Sequence, residues 1–133
     1  MTRDQLEAWI DAYERAWRTP GVEPLADLFA ADASYKTAPF ETPFSGLAAI
    51  AEMWDAGRDG PDEEFTMTGR PVAVEGDTGV ARVEVRYGAT GSHYRDLWIV
   101  RMDESGRCVE FEEWPFWPPG QKGGWHSGPA QPS

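Results

Sequence analysis

Proton transfer is the chemistry for which this sequence is best equipped. Tyr13 sits in a helical run of apolar residues, and Asp96 and Glu113 sit among aromatic residues in the last strand-like stretches. A carboxylate forced into apolar surroundings either finds partners or holds its proton to higher pH. Held near neutrality, it is a good general acid or base. A tyrosine hydroxyl beside it could supply a hydrogen bond. The same residues could instead make a buried structural network, or an ion pair with an arginine at a cavity mouth. Other chemistries lack parts. Two distant histidines, His93 and His126, and one cysteine, Cys108, make no zinc site. Neither a P-loop nor a G-x-G-x-x-G stretch occurs. No metal and no cofactor are expected. Cys108 reads as a small packing residue rather than a nucleophile. Asp59, Asp62, Glu63 and Glu64 read as a solvated loop.

The chain has 133 residues, which fits one domain with a real core. Seven Trp, six Phe and four Tyr make it rich in aromatics, and pockets for small molecules are lined mainly by such groups. A small apolar ligand is therefore the expected partner. A formal net charge of −11 repels phosphate backbones and anionic membranes. Arg82, Arg86, Arg95 and Arg101 are interleaved with Glu84, Asp96 and Glu112, so no basic stripe offsets it. The acidic N-terminus lacks the character of a signal peptide. No apolar run approaches the ~20 residues of a membrane helix. With a single cysteine, no internal disulfide can form, and the expected location is the cytoplasm.

Positioning these groups requires a mixed fold. Thr2 and Gln5 have capping-box spacing, and Leu6, Trp9, Ile10, Tyr13 and Trp17 follow at helical intervals until Thr19-Pro20-Gly21. Leu25, Leu28 and Phe29 share a face of a short second helix after Pro24. Ala33 to Pro39 reads as a strand, and the Pro39–Gly46 stretch as a loop carrying Phe40 and Phe44. Ser45 is the expected N-cap of a third helix that buries Leu47, Ile50 and Trp54 and stops at Gly57 and Arg58-Asp59-Gly60-Pro61. The period then changes to two. Phe65 to Val74 reads as a strand interrupted at Gly69-Arg70-Pro71, hence an edge or a bulge. Residues 79–88, 93–102 and 107–114 follow with short turns, which implies an antiparallel sheet. Residues 1–115 are the expected domain, and 116–133 a Pro/Gly-rich tail, extended or disordered. Trp117 and Trp125 in that tail could dock onto the body or onto a partner.

Three stretches carry a family resemblance: Trp9-x3-Tyr13-x3-Trp17, Leu28-Phe29-Ala30-Ala31-Asp32-Ala33-x-Tyr35, and Phe44-x-Gly46-x3-Ile50-x3-Trp54. Tyr94 to Arg101 and Gly106 to Glu110 extend it. Over roughly residues 5–115 the chain resembles the nuclear transport factor 2-like superfamily, and within it the SnoaL-like branch. The resemblance implies an α+β, cone-shaped fold, with three helices packed on a curved, mostly antiparallel sheet and an apolar mouth. Members include isomerases, dehydratases, cyclases, epoxide hydrolases and plain binding scaffolds, so fold alone does not give function.

The cone implies which residues face inward. Ala81, Val83, Val85 and Tyr87 face in from one strand. Similarity to steroid isomerases puts Trp98 inside, and with it Tyr94, Asp96 and Val100. Val109, Phe111 and Glu113 face in from the last strand, with Cys108 outside. Tyr13, Asp96 and Glu113 thereby become the candidate catalytic set. The expected pocket is lined by Trp17, Tyr35, Thr37, Phe44 and Met53, together with Trp54, Phe65, Tyr94, Trp98 and Phe111. The outer face keeps Leu97, Ile99 and Trp114, through which relatives often form a homodimer. Steroid isomerases use a helix tyrosine, an aspartate base and a second carboxyl. Tyr13 matches the tyrosine, but the base falls on Thr37 and the second carboxyl on Trp98. His93 has the wrong parity for the histidine mechanisms, and Arg82-Val83-Glu84 points outward, away from an epoxide-hydrolase arrangement. Two functions follow from the resemblance: a cofactor-free acid–base isomerase, dehydratase or cyclase for an apolar carbonyl compound, or a non-catalytic ligand-binding or scaffold protein.

Overall fold

The predicted capping box opens the first helix. Thr2 Oγ1 accepts from Gln5 N at 3.1 Å, and Gln5 Oε1 accepts from Thr2 N at 2.7 Å. Helix α1 then runs Arg3–Arg18 and buries Leu6, Trp9, Ile10, Tyr13 and Trp17. The fold is that of a computed structural model, which describes residues 1–58 and 64–121. The helix-stopping residues Asp59, Gly60 and Pro61, the loop acids Asp59, Asp62 and Glu63, and the tail residues Trp125 and His126 lie outside the described residues.

After α2 (Leu25–Leu28), strand β1 covers Phe29–Lys36. It begins earlier than local periodicity predicts, because Phe29 leaves the helix to pair in parallel with Cys108. The expected loop contains a two-residue strand, β2 (Phe44–Ser45), which pairs antiparallel with Ser34 and Tyr35. That pairing takes Ser45 away from the helix. Gly46, at φ 90°, caps α3 (Leu47–Gly57) instead, and its amide donates to Ala33 O. The remaining strands are β3 (Phe65–Glu75), β4 (Thr78–Tyr87), β5 (His93–Met102) and β6 (Cys108–Phe116).

The six strands lie in the order β2-β1-β6-β5-β4-β3, antiparallel throughout except between β1 and β6. The three helices pack against this curved sheet. Strand β3 is an edge, and its pairing with β4 shifts register between Pro71 and Ala73. Gly69 does not break the strand. A Cβ there would come within 2.7 Å of Ile10 Cγ2, so the glycine lets α1 approach the sheet closely.

One strict alternation fails. The β5–β6 register shifts between Arg101 and Met102, and Cys108 pairs with Met102. Cys108 is therefore fully buried in the core, not on the outer face, and Val109 is only half-buried. Burial pushes the Cys108 thiol up to about 12, which suits a packing residue. No helix among the described residues is long and apolar enough to cross a membrane.

Candidate functional site

Three elements bring the acid–base side chains together. Tyr13 comes from the buried stripe of α1, Asp96 from β5 and Glu113 from β6, and all three line one cleft. The β5–β6 register explains the proximity. Trp98 stands opposite Glu113, and Asp96 opposite Pro115, so the two carboxyls are diagonal neighbours on one face. Tyr13 Oη and Tyr35 Oη lie 2.7 Å apart. One hydroxyl donates to the other, which leaves one proton for Glu113, whose Oε2 and Oε1 lie 3.4 Å from Tyr13 Oη and Tyr35 Oη respectively. Trp98 Nε1 donates to Asp96 Oδ2 at 3.3 Å. Asp96 Oδ1 is buried and has no hydrogen-bond partner among the described residues.

The electrostatics follow from this geometry. Burial raises Asp96 from 3.8 to about 7, against a smaller lowering by the Trp98 indole. Glu113 is raised well above its ordinary value, first by burial and then by the Asp96 charge; the two tyrosine hydroxyls offset part of this. Burial and the Glu113 charge raise both tyrosines well above 10. Above pH 7 the cluster therefore holds an ionised Asp96 beside two neutral tyrosine hydroxyls, with the Glu113 carboxyl shifted in the same direction as Asp96, toward keeping its proton. An acceptor of protons thus stands beside a set of donors, with their affinities pushed apart by environment.

The cleft is narrower than a drug-sized pocket. Its open space, solvent included, is about 510 Å³, but the centre of a water-sized molecule can occupy only about 40 Å³ of it. That is room for a few waters, since one needs roughly 10–15 Å³ by this measure. Of the predicted lining, Trp17, Phe65, Tyr94 and Trp98 reach the cleft. The structure puts Tyr35, Thr37, Met53, Trp54 and Phe111 in buried positions outside that lining, and Phe44 half-buried outside it. Tyr35, Trp54 and Phe111 form the wall behind the cleft, against Tyr13, Trp17 and Trp98. Tyr35 and Phe111 rings lie 4.7 Å apart, and Tyr13 and Trp54 rings 4.9 Å.

Met67, Val85, Tyr87 and Pro115 also line the cleft; Val85 and Tyr87 were expected to face inward, but none of the four was in the expected lining. Parity could have found them. Val85 and Tyr87 lie on the inward face of β4, Met67 shares a face with Phe65, and Pro115 shares one with Glu113. At the mouth, Arg18 lies 3.9 Å over the Phe65 ring and donates to Phe65 O at 3.0 Å. It also pairs with Glu14 at 2.9 Å, not with a cleft carboxylate. His93 Nε2 and Glu84 Oε2 lie 2.7 Å apart on the outer face. Among the described residues no group of three or more His, Cys, Asp or Glu could hold a metal.

Residues 7–111 match the family described as the SnoaL-like domain, and the chain belongs to that family. Solved structures share the fold. One is a proposed polyketide cyclase from Sinorhizobium meliloti, 20% identical, with a TM-score of 0.65 over 85% of this chain and 99% of that one. Another is a proposed isomerase of the SnoaL-like family from Agrobacterium tumefaciens, 20% identical, with a TM-score of 0.66 over 85% and 98%. A proposed ketosteroid isomerase from Kribbella flavida is 17% identical, with a TM-score of 0.65 over 98% and 93%. No curated protein matches the sequence.

Proposed function

We propose that the chain is a cofactor-free acid–base catalyst acting on a small apolar carbonyl compound. The observation that carries this reading is the pairing of Asp96, buried with a free Oδ1, with neutral hydroxyl donors in the same cleft. Asp96 Oδ1 takes a proton from the carbon next to the carbonyl. The electron pair moves onto the carbonyl oxygen, which accepts hydrogen bonds from Tyr13 Oη and the protonated Glu113 carboxyl. Returning the proton at another carbon completes an isomerisation. In a dehydration Asp96 gives the proton to a β-hydroxyl, which leaves as water; in a cyclisation the α-carbon attacks a second carbonyl, whose oxygen takes the proton from Asp96. The neighbours proposed to be a polyketide cyclase and an isomerase support the cyclisation and isomerisation outcomes.

The test is exchange of the α-hydrogens of 1-indanone in D2O, followed by proton NMR. The rate should rise with pH through about 7, as Asp96 ionises. Asp96→Asn should lower it about 10²–10⁴-fold, the usual worth of a positioned base. If the wild type binds the ketone but exchanges no faster than Asp96→Asn, the protein is a binding protein and the catalytic reading fails.

The same reading has two copies pairing through the outer sheet face, in the cytoplasm. A single cysteine, buried in the core, supports the location. Half-buried Leu97, Ile99 and Trp114, with Phe116 60% exposed, support the pairing. Charge supports it too: Arg70 and Arg82 stand opposite each other on β3 and β4, while Glu112 lies across the sheet on β6. A two-fold axis along β5 would set the basic half of one copy over the acidic half of the other. Light scattering should find a dimer for the wild type and a monomer for Leu97→Asp. A monomeric wild type ends the idea.

A further inference from the structure

A cleft with space for a few waters is too small for any carbonyl compound unless part of its wall yields. The inner wall is tightly interlocked. Tyr13 and Trp98 rings lie 4.5 Å apart, and Trp98 and Phe111 5.1 Å. The rim continues outward through Phe65–Tyr87 and Tyr87–Tyr94, 6.0 Å apart, to Tyr94–Trp117 at 6.5 Å. Trp117 follows Pro115 by two residues, and its ring meets that of Tyr94; Pro115 and Tyr94 both line the cleft. Trp117 lies just past the end of β6, so the sheet does not hold it. Among the described residues the segment meets the body through the Trp117–Tyr94 ring contact and a hydrogen bond from His93 N to Gln121 Oε1 at 2.8 Å. The Gln121 Nε2 amide is buried with no partner among the described residues. A latch with one donor unsatisfied is a weak one.

We propose that Trp117–Gln121 is the outer wall of the binding site, and that Trp117 decides which molecules enter: flat, ring-containing apolar compounds thin enough to slide between its indole and Tyr94. This rests on the carbonyl reading for the ligand's identity, but not for the wall itself. Turning the Trp117 indole through its 76° tilt would make this edge-to-face pair at 6.5 Å into a stack around a flat ring. A bulky, branched molecule would need the whole segment to lift. In the closed state the wall keeps water from the cleft that Asp96 lines.

Two readouts test the wall, on the full chain carrying Trp117→Ala, Trp117→Phe or Gln121→Ala. The first is the carboxyl titration of Asp96 by carbon NMR, which needs no ligand. Hydration of the cleft in Trp117→Ala should move its midpoint about one pH unit down from about 7. Trp117→Phe should restore most of the wild-type value, and Gln121→Ala should fall between. The second is binding of flat 1-indanone against branched 4-tert-butylcyclohexanone. Trp117→Ala should weaken the first about 3- to 10-fold, the worth of one lost ring contact, and should admit the second, which the wild type excludes. A near-ultraviolet signal from buried tryptophans like that of the wild type shows that each variant is folded. A shifted Asp96 titration with no ketone bound by any form upholds the wall and sinks the carbonyl reading instead. An Asp96 titration unmoved by Trp117→Ala overturns the wall.

Discussion

Asp96→Asn should make the protein more stable at pH 8 while leaving it little changed, or weaker, at pH 4. At pH 4 the wild-type Asp96 is protonated in the fold and about half protonated in the unfolded chain, whose value is 3.8. Its burial then costs little. As pH rises above 3.8 the unfolded chain releases this proton and gains stability, while the folded chain holds on until about 7. The fold therefore loses stability across that window and levels off above it. The full difference amounts to about 4 kcal/mol. An asparagine does not titrate, so the gap between variant and wild type should move by up to about 4 kcal/mol from pH 4 to pH 8. The amide sets a constant offset. Its oxygen can accept from Trp98 Nε1, but its NH2 inherits the position where Oδ1 has no partner, at a cost of about 1–3 kcal/mol. Urea melts at both pH values would measure the gap. If it is independent of pH, Asp96 titrates normally and is no base near neutrality.

Trp98→Ala should cost about 3–5 kcal/mol, the range for truncating a large buried aromatic. Trp98 is fully buried and meets Trp9, Tyr13 and Phe111 edge-on or tilted. It stands between the core and the cleft, so its removal joins the cleft to a cavity. Trp98→Phe separates packing from hydrogen bonding. It keeps much of the ring volume but removes the Nε1 donor to Asp96 Oδ2. That donor favours the charged carboxylate, so Trp98→Phe should push Asp96 higher than about 7 and shift the exchange rate profile to higher pH. Thermal melts and the Asp96 titration read the two effects separately. A Trp98→Phe variant with Asp96 unmoved would mean that the indole does not hold that carboxyl.

Helix α1 and strands β3 to β6 were legible because each repeats one rule over many residues. The i, i+3, i+4 run from Leu6 to Trp17 has only one amphipathic solution, and alternation along β4 and β5 sorts residues such as Arg95 and Asp96 onto opposite faces. The family resemblance then indicated which face is inner. Together they sufficed to bring Tyr13, Asp96 and Glu113 into one cleft. Short or irregular pieces were not legible. A two-residue strand such as β2 has no periodicity; it exists because Tyr35 and Ser34 offer it a partner. Gly46 replaces Ser45 as helix cap for the same reason. A register shift moved Cys108 inward, and nothing in a local alternation announces a bulge.

The sequence by itself determined the acidic charge, the aromatic supply, the helical stripe and the parity that puts Asp96 on one face with Trp98 and Glu113 on one face with Phe111. Only the tertiary structure decided which aromatics line the cleft and which are solid wall, because Tyr35, Trp54 and Phe111 carry the same chemistry as Trp17, Tyr94 and Trp98. The distinction lies in depth: strands far apart in the chain meet at different heights, and ring against ring fills the space between them. It also set the proton affinities of Asp96 and Glu113, since those depend on how much water the surrounding rings exclude and on how near the second carboxyl stands. Such distances exist only once the chain has closed on itself.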